Sequence, residues 1–400
     1  MLEAIALALA TVSLLAWVGL ALWRGFFWRV RFAPDAAGPA RWPGVVAVVP
    51  ARDEADLIGA ALQTLLLQDY PGDFHVILVD DHSTDGTAAR AAATAAQLGR
   101  EDRLTVVAAP PLPAGWTGKV WAQAEGLAAQ QRQFPTALYV LLTDADIAHD
   151  RRALQRLVAR AEAGQFVLAS LMVRLRCVSL AEKALAPAFV FFFAMLYPFS
   201  LVNNPRSRVA AAAGGCMLAR TDALERMGGI AAIKDALIDD CALAAHMKRQ
   251  GPIRLDFAHD SYSLRPYPDW SSIWNMVARC AYTQLRHSPW LLAGTVLGML
   301  LLYVVPPAFS LAYGLGAAPW PSLLAWLVMS AIYMPMLRYY RRPLPWAPAL
   351  PLVALFYLGA TLASAWRYHR GRGGQWKGRA QASGRRTVIP ADAGIHAEPE

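Results

Sequence analysis

Long apolar segments occupy both ends of this 400-residue chain. Leu2–Trp23 carries a single charge, Glu3, and is long enough to cross a bilayer as a helix. Three further apolar segments lie at about 290–316, 320–337 and 347–366. They help to raise the hydrophobic fraction to 56%, above the roughly 45–50% of soluble proteins. The sequence therefore predicts a multi-pass membrane protein with a separate domain between its apolar ends.

The first apolar segment is followed closely by Arg24, Arg29 and Arg31. A signal peptide is the alternative, but this segment has no basic n-region and no clear small-residue cleavage site. We expect an uncleaved anchor over residues 1–24, in the cell (inner) membrane. The positive-inside rule then places the following domain in the cytoplasm.

The three C-terminal segments, within residues 290–366, are predicted to be transmembrane helices whose orientation stays open. Basic clusters lie on both sides of the last one, at 338–342 and 367–379. Either this span is re-entrant or the positive-inside rule fails once. The basic tail, 367–400, shows no apolar period over its last residues and is predicted to be disordered.

The net charge of +9 collects beside the apolar segments and in the tail, where it suits anionic lipid head groups. Nucleic-acid binding is not favoured, because the soluble part has no basic face studded with aromatic residues. The four cysteines form no CxxC pair, so neither a zinc site nor a disulfide framework is expected.

Between the apolar ends, β-forming runs alternate with helical patterns over residues 41–265. Predicted strands lie at 45–49, 74–80, 104–108, 137–142 and 166–171, and predicted helices at 55–68, 84–98, 119–131 and 151–162. This alternation predicts a Rossmann-like α/β fold, with a doubly wound and mostly parallel sheet and right-handed crossovers.

Two segments after the sheet are predicted to lie at the membrane surface. The Phe-rich stretch 184–202 is nearly long enough to span, but Pro187 and Pro198 break it. A span there would separate the acidic motifs across the membrane, so we expect an interfacial or re-entrant segment, with a buried core helix as the alternative. Residues 270–287 have the spacing of an amphipathic interface helix.

Acidic residues follow two of the predicted strands. Asp80 and Asp81 end one strand, and Asp144 and Asp146 follow another. Ligands of open α/β sheets bind beyond the carboxyl ends of strands. Adjacent carboxylates repel each other unless they accept hydrogen bonds or pair with a positive charge. The hydroxyl groups of a nucleoside could donate such hydrogen bonds to Asp80 and Asp81. The Asp-x-Asp pair has the hard oxygen donors that suit Mg²⁺ or Mn²⁺.

Two more motifs have a structural and a functional interpretation. Gly115-Trp116-Thr117-Gly118-Lys119 is not a phosphate-binding P-loop, since Val120 follows the lysine. It predicts either an anion-facing corner at a helix start or a capped helix with a surface lysine. Asp239-Asp240 opens a predicted helix, where one acid can cap and the other can act as a general base.

Together these motifs resemble the family 2 glycosyltransferases of the GT-A fold, over about residues 44–290. The motifs that carry the resemblance are Pro50-Ala51-Arg52-Asp53-Glu54, Asp80-Asp81-x-Ser83-x-Asp85-Gly86-Thr87, Asp144-x-Asp146 and Asp239-Asp240. The Gly-Trp-x-Gly-Lys segment and the flanking apolar segments are most similar to membrane-bound transferases that glycosylate lipids, notably the hopanoid-biosynthesis-associated glycosyltransferases.

The resemblance implies an inverting transfer of one sugar from a nucleotide sugar, a UDP-sugar first, to a lipid hydroxyl. Asp240 would be the base with Asp239 beside it, and Asp146, helped by Asp144, would hold Mg²⁺ or Mn²⁺. Arg286 would meet the departing diphosphate. The other implied substrate-binding residues are Pro50, Asp53, Glu54, Asp80, Asp81, Asp85, Lys119, Asp144 and Gln284.

One departure from the family bears on the product. Processive members carry Q-x-x-R-W on an interface helix, whereas this chain has Gln284-Leu285-Arg286-His287-Ser288. The arginine comes one residue early and the tryptophan is absent, which favours single-sugar transfer. Arg286 has a lipid head group as its alternative partner. A processive synthase, a transporter and a nucleotide-binding scaffold are the competing functions.

Overall fold

The computed structural model describes residues 1–312 and 316–371, with the backbone of 375–376 and 379–380. The tail prediction thus falls mostly outside the described residues. Eight strands form the main sheet: β1 (Val45–Ala51), β2 (Phe74–Asp80), β3 (Leu104–Ala108), β4 (Tyr139–Leu142), β5 (Ile147–Ala148), β6 (Leu168–Arg174), β7 (Met217–Arg220) and β8 (Ile253–Ser263). Two short strands, Gln375–Trp376 and Arg379–Ala380, pair separately.

The main sheet has the order β3-β2-β1-β4-β7-β6-β8-β5. The first four strands in this order are parallel, and β6 is parallel to β8. Strand β7 runs antiparallel between β4 and β6, and β5 runs antiparallel to β8. The mostly parallel α/β sheet is therefore confirmed, and the carboxyl ends of β1, β2 and β4 meet at one edge.

Helices pack against this sheet and also form the apolar ends of the chain. They are α1 (Leu2–Trp23), α2 (Ala55–Leu66), α3 (Thr87–Leu98), α4 (Gly118–Gln133), α5 (Ala153–Gly164), α6 (Leu180–Leu196), α7 (Phe199–Val202), α8 (Thr221–Arg226), α9 (Asp239–Met247), α10 (Trp270–Gln284), α11 (Pro289–Leu311), α12 (Pro319–Tyr339) and α13 (Leu350–His369). Helix α11 contains a π-helical turn at Leu300–Val304, and short 3₁₀ turns lie at Glu101–Arg103, Ile230–Ile233 and Leu344–Ala349.

Strand β1 is buried along its whole length, with alternate residues on two cores. Val46 and Val48 face the core that contains α4 and α6, whereas Val45 and Val49 face the core that contains α2, α3 and α5. Such two-sided burial explains why β1 has no polar alternation. It also holds the carboxyl end of the strand in a rigid position.

Helix α4 lies unusually close to the sheet because of Gly126. A Cβ atom at this position would stand 2.3 Å from Cγ1 of Val48 and 3.1 Å from Cγ2 of Val79. Only glycine permits this approach of the helix to β1 and β2. The N-terminus of α4, with Lys119, is thereby brought to the sheet edge.

Within the part of the chain that the structure describes, four helices are long and apolar enough to cross a membrane: α1, α11, α12 and Leu344–His369. They match the four segments predicted from sequence. Trp17 of α1 donates to the carbonyl of Leu302 in α11 at 2.8 Å, so the N-terminal and C-terminal helices form one assembly.

The Phe-rich segment forms α6 and α7, beginning earlier than predicted. Ser179 and Glu182 form a capping box at the start of α6. Phe191 is fully buried and contacts the Tyr333 ring of α12, and Tyr357 of α13 donates to the carbonyl of Leu185. This packing agrees with the buried-helix alternative. Contact of the segment with lipid stays a prediction.

Helix α10 covers most of the predicted interface segment but ends before Arg286. Arg286 and His287 both adopt positive φ angles, 52° and 54°, as the chain turns into α11. On its apolar side Trp274 packs against Phe356 of α13, with ring centroids 5.2 Å apart. This face of α10 is therefore covered by protein.

Candidate active site

Lys119 joins two of the predicted acidic motifs. Its Nζ atom lies 2.8 Å from Oδ1 of Asp144 and 3.2 Å from Oδ2 of Asp239. Burial alone would lower the pKa of Lys119, but Asp144 and Asp239 outweigh that effect and raise it. The lysine therefore stays charged, and the alternative of a surface lysine on a capped helix is wrong.

The loop before α4 is fixed to the loop before α9. The Thr117 amide donates to the carbonyl of Lys234 at 2.8 Å. Gln123, one turn into α4, donates to Oδ2 of Asp239 at 3.4 Å. These contacts hold the starts of α4 and α9 against each other, so the Asp239-Asp240 pair reaches the same sheet edge as Asp144.

Asp240 stands beside this cluster in an ordered position. Its Oδ2 accepts from the Gly214 amide at 2.9 Å, and its Oδ1 accepts from the Cys241 amide at 2.7 Å. Burial first, and repulsion from Asp239 second, raise the pKa of Asp240 to about 6, while Lys119 opposes the rise. A carboxylate poised near neutral pH is suited to general base catalysis.

Gly214 lets the backbone approach the cluster. A Cβ atom there would lie 3.2 Å from Nζ of Lys119 and 3.4 Å from Oδ2 of Asp240. A larger side chain would therefore occupy the space beside both groups.

Asp146 is paired with an arginine that the motif analysis missed. Arg265 Nε donates to Oδ2 of Asp146 at 2.9 Å, and its Nη2 donates to Oε1 of Glu54 at 2.6 Å. Ser263 donates to the same Asp146 oxygen at 3.1 Å. Arg265 belongs to no motif, and its only sequence signal is a basic residue at the end of the predicted domain, residues 41–265.

A buried histidine supports the Asp-x-Asp loop from behind. Thr143 Oγ1 donates its single proton to the Gly215 carbonyl at 2.7 Å, so His149 Nε2, 3.0 Å away, must donate to Thr143. His149 Nδ1 then accepts from Ser261 Oγ at 3.3 Å. Burial lowers the pKa of His149 to about 4, which agrees with this neutral form.

The loops that follow β1 and β2, which carry Asp53 and Asp81, are hydrogen-bonded to each other and form one loop pair. The Asp53 amide donates to Ser83, and Oδ1 of Asp53 accepts from the Thr84 amide at 2.8 Å. The Ser83 amide donates to Oδ1 of Asp80 at 3.3 Å. The backbone carbonyl of Asp81 accepts from Arg52 at 2.5 Å, and the Asp81 side chain is fully buried. Cross-strand bonding thus orders this part of the edge.

Two predicted residues of this loop pair have clear structural tasks. Asp85 caps two helices, since Oδ1 accepts from the Thr87 amide at 3.0 Å and Oδ2 accepts from the Ala55 amide at 2.9 Å. Pro50 is buried within β1, opposite Val79 of β2. Neither arrangement by itself provides a substrate contact.

Gln284 and Arg286, two further predicted site residues, lie at the end of α10 and just after it. Gln284 donates to the Tyr197 hydroxyl at 2.6 Å. Burial and the nearby Cys241 thiol raise the pKa of Tyr197 to about 12, which places this pair beside α9. Arg286 is exposed, and within the described ranges its side chain forms no ion pair.

The donor set fits a divalent metal only in part. Among the residues that the structure describes, no three His, Cys, Asp or Glu side chains could hold an ion together. Asp144 and Asp146 supply hard oxygen donors, and Mg²⁺ commonly binds through one or two carboxylates plus substrate phosphates. The carboxylates therefore fit a metal that arrives with a diphosphate.

Comparisons with known proteins agree with this geometry. The family model for glycosyl transferase family 2 matches residues 46–228, and the model for glycosyl transferase family group 2 matches residues 139–360, more than half of the chain. No curated protein matches the chain.

Several solved structures are similar to the chain. A mannosyltransferase from Pyrobaculum calidifontis, PcManGT, in complex with GDP-Man and Mn²⁺, is 22% identical with a TM-score of 0.53, over 93% of this chain and 100% of that one. S. aureus TarS in complex with UDP-GlcNAc is 14% identical with a TM-score of 0.38, over 87% and 100% of the two chains.

A third structure aligns with a smaller part of this chain. Glucosyl-3-phosphoglycerate synthase from M. tuberculosis is 22% identical with a TM-score of 0.37, over 59% of this chain and 78% of that one. The matched family models, together with the GT-A fold of the PcManGT likeness, lead to one conclusion: the chain belongs to the family 2 glycosyltransferases.

Proposed function

We propose that the protein is a membrane-bound inverting glycosyltransferase that moves one sugar from a nucleotide sugar to a lipid hydroxyl. The observation that carries the proposal is Asp240, a half-buried carboxylate with a pKa raised to about 6, beside the Lys119–Asp144–Asp239 cluster. Its position at the carboxyl edge of the sheet is where α/β folds bind ligands.

The nucleoside would bind over the ends of β1 and β2. Asp80 and Asp81 would meet the ribose and base, with Asp53 or Glu54 nearby and Pro50 and Asp85 shaping the loop. Lys119 would hold the diphosphate, since it lies at the start of α4, where amides and helix dipole favour an anion. A UDP-sugar is the first candidate donor.

The Asp-x-Asp pair would hold Mg²⁺ or Mn²⁺, with Asp146 as the main ligand and Asp144 assisting. When bound, such an ion supplies charge stabilisation for the leaving diphosphate. The chain's own contribution to this step is the orientation of the loop by Thr143 and His149, which are hydrogen-bonded behind it.

Transfer would proceed as a single displacement. Asp240 takes the proton of the acceptor hydroxyl as its oxygen attacks the anomeric carbon. The bond from that carbon to the diphosphate oxygen breaks, and the electron pair leaves with the nucleoside diphosphate. The Gly214 and Cys241 amides hold Asp240 in the site, and Arg286 is the proposed further contact of the departing group.

The contacts between the site and the apolar helices support a lipid acceptor. Gln284 of α10 contacts Tyr197 beside α9, and α10 packs on α13. An acceptor whose apolar part stays among the spanning helices could thus present a hydroxyl to Asp240. We propose a hopanoid or related lipid, with the catalytic domain (41–265) on the cytoplasmic face of the cell membrane.

The decisive experiment uses the full chain purified in detergent. Isothermal titration with UDP-sugars and GDP-mannose, each with Mn²⁺, would report donor binding. Release of nucleoside diphosphate on addition of lipid extract, with mass spectrometry of the lipid, would identify the product. Donor binding without lipid-dependent release would leave a nucleotide-binding scaffold, and a ladder of sugars would indicate a processive synthase.

A further inference from the structure

Arg265 is the central cation of the Asp146 side of the site. Its guanidinium bridges Asp146 and Glu54, at 2.9 Å and 2.6 Å. Both carboxylates are nearly buried, with side chains only 10% and 8% exposed. Buried charges are costly unless paired, and this arginine offsets the charge of both acids.

The backbone beneath Arg265 is held at two points. The Leu264 amide donates to the carbonyl of Asp146 at 2.7 Å. The Tyr267 amide donates to Glu182 at 2.7 Å, and the Tyr267 carbonyl accepts from Ser179 at 2.8 Å. The capping box of α6 therefore clamps this segment from the other side.

The side chain, by contrast, has room to move. It is 29% exposed, and its stem has several rotatable bonds between the fixed backbone and the guanidinium. Burial alone would lower the pKa of Arg265, but Asp146 and Glu54 raise it. A guanidinium also keeps its charge away from these acids, because its ordinary pKa is about 12 or higher.

Oδ2 of Asp146 already accepts from both Arg265 and Ser263, which use its two lone pairs, so a divalent metal that takes this oxygen must displace one of the two donors. The proposed donor carries a diphosphate, and a guanidinium binds phosphate oxygens as well as it binds carboxylates. Loss of the Asp146 contact could therefore be offset by a new contact to the donor. This step rests on the proposed function, because it requires a nucleotide donor.

We propose that Arg265 is an internal counter-cation of the acidic edge, which competes with a divalent metal for Asp146 and moves onto the diphosphate when the donor binds. Without a donor the arginine keeps the metal site closed. With a donor it becomes a diphosphate-binding residue. Loss of Arg265 should therefore strengthen the binding of the metal alone and weaken the binding of nucleotide in the presence of the metal.

The test compares Arg265→Gln with Arg160→Gln in the full chain. Arg160 is a matched control, since it pairs with Asp256 at 3.2 Å and bonds the carbonyls of Ala33 and Pro34 away from the site. Mn²⁺ binding without nucleotide is measured by electron paramagnetic resonance, and binding of UDP and GDP with saturating Mn²⁺ is measured by calorimetry.

In Arg265→Gln we expect Mn²⁺ alone to bind about tenfold more tightly, because no charge-assisted hydrogen bond must be broken. Nucleoside diphosphate should bind about tenfold more weakly, because one charge-assisted contact is lost. The control should change neither affinity.

Several outcomes would overturn the proposal: unchanged or weaker Mn²⁺ binding in Arg265→Gln, an equal shift in the control, or no Mn²⁺ binding in any of the proteins. If Arg265→Gln does not fold, Arg265→Lys replaces it, since lysine lacks the fork that bridges two carboxylates and should shift Mn²⁺ affinity in the same direction. A wild-type protein that binds neither UDP nor GDP would count against the proposed function, while the Mn²⁺ measurement would still decide the competition.

Discussion

The Nζ atom of Lys119 lies 3.2 Å from Oδ2 of Asp239. This ion pair connects the start of α4 to the start of α9, and the next residue of α9 is Asp240. The proposed base therefore has two charged neighbours of opposite sign, since Asp239 raises its pKa and Lys119 lowers it. The charges of Asp239 and Lys119 can be removed separately by mutation.

Removal of these neighbours should move the pH dependence of transfer in opposite directions. The base form of Asp240 is ionised, so wild-type kcat/KM should fall as the pH drops below about 6. Asp239→Asn should move this acidic limb to lower pH, and Lys119→Gln should move it to higher pH, each by roughly one unit.

The measurement is the pH profile of kcat/KM. The pH at which its acidic limb falls can be compared between variants even where a variant has a lower maximum rate. Lys183→Gln in α6 serves as a control whose limb should match wild type. Limbs that coincide in all four proteins would show that Asp240 does not set the profile.

Asp240→Asn should abolish transfer while nucleotide binding persists. The amide keeps the shape of the side chain but cannot accept the acceptor's proton. The checks are release of nucleoside diphosphate and calorimetric binding, with the exposed Asp235→Asn as the control. Wild-type turnover in Asp240→Asn would remove this residue from the mechanism.

Asp85 should matter for stability through its two caps. Asp85→Ala loses the bonds to Thr87 and Ala55 and should destabilise the protein by about 1–2 kcal/mol. Asp85→Asn should lose roughly half as much, about 0.5–1 kcal/mol, because its amide oxygen still accepts from one of the two amides.

The comparison is made on thermal unfolding of the detergent-solubilised protein. Nucleotide affinity should fall with stability, since Asp53 and Asp80 belong to the same loop pair. An Asp85→Ala protein that unfolds at the wild-type temperature but loses nucleotide binding would point to a direct substrate contact instead.

His149 should make the protein sensitive to moderate acid. Its pKa is about 4 in the folded chain and near 6.5 when unfolded, so the unfolded state takes up the proton first as the pH falls. This contribution to stability is present above pH 6.5 and is lost progressively as the pH falls towards 4.

His149→Gln can still donate to Thr143 and should remove this part of the pH dependence. His149→Leu leaves Ser261 without its acceptor and should cost about 1–3 kcal/mol, whereas Thr143 keeps its bond to Gly215. Thermal unfolding between pH 7 and pH 5 provides the measurement. Identical slopes in wild type and His149→Gln would contradict the assignment.

Much of the edge could be predicted because its residues follow strongly apolar strands. Asp80 and Asp144 come directly after buried runs, and the register of β1, β2 and β4 brings such ends together. The alternation of strands and helices likewise predicted the parallel half of the sheet. These features depend on local patterns and on strand geometry.

Other features depend on contacts between distant segments. The Phe-rich helix α6 is buried because α12 and α13 pack on it, and no local pattern distinguishes that from an interfacial position. Arg265 could not be predicted as a site residue, because no motif surrounds it. Its place in the site comes from the Asp146 and Glu54 carboxylates that the fold brings to it.

By itself the sequence determined the apolar helices, the alternation of strands and helices in the parallel half of the sheet, and the acidic residues at the carboxyl edge. Periodicity and hydrophobicity specify these because each element must bury its own apolar face. Only the tertiary structure decided which cation meets which carboxylate. Ion pairs such as Lys119 with Asp239, and Arg265 with Asp146, form between segments that the packing of α4, α9 and β8 brings together, and no spacing in the chain encodes that meeting.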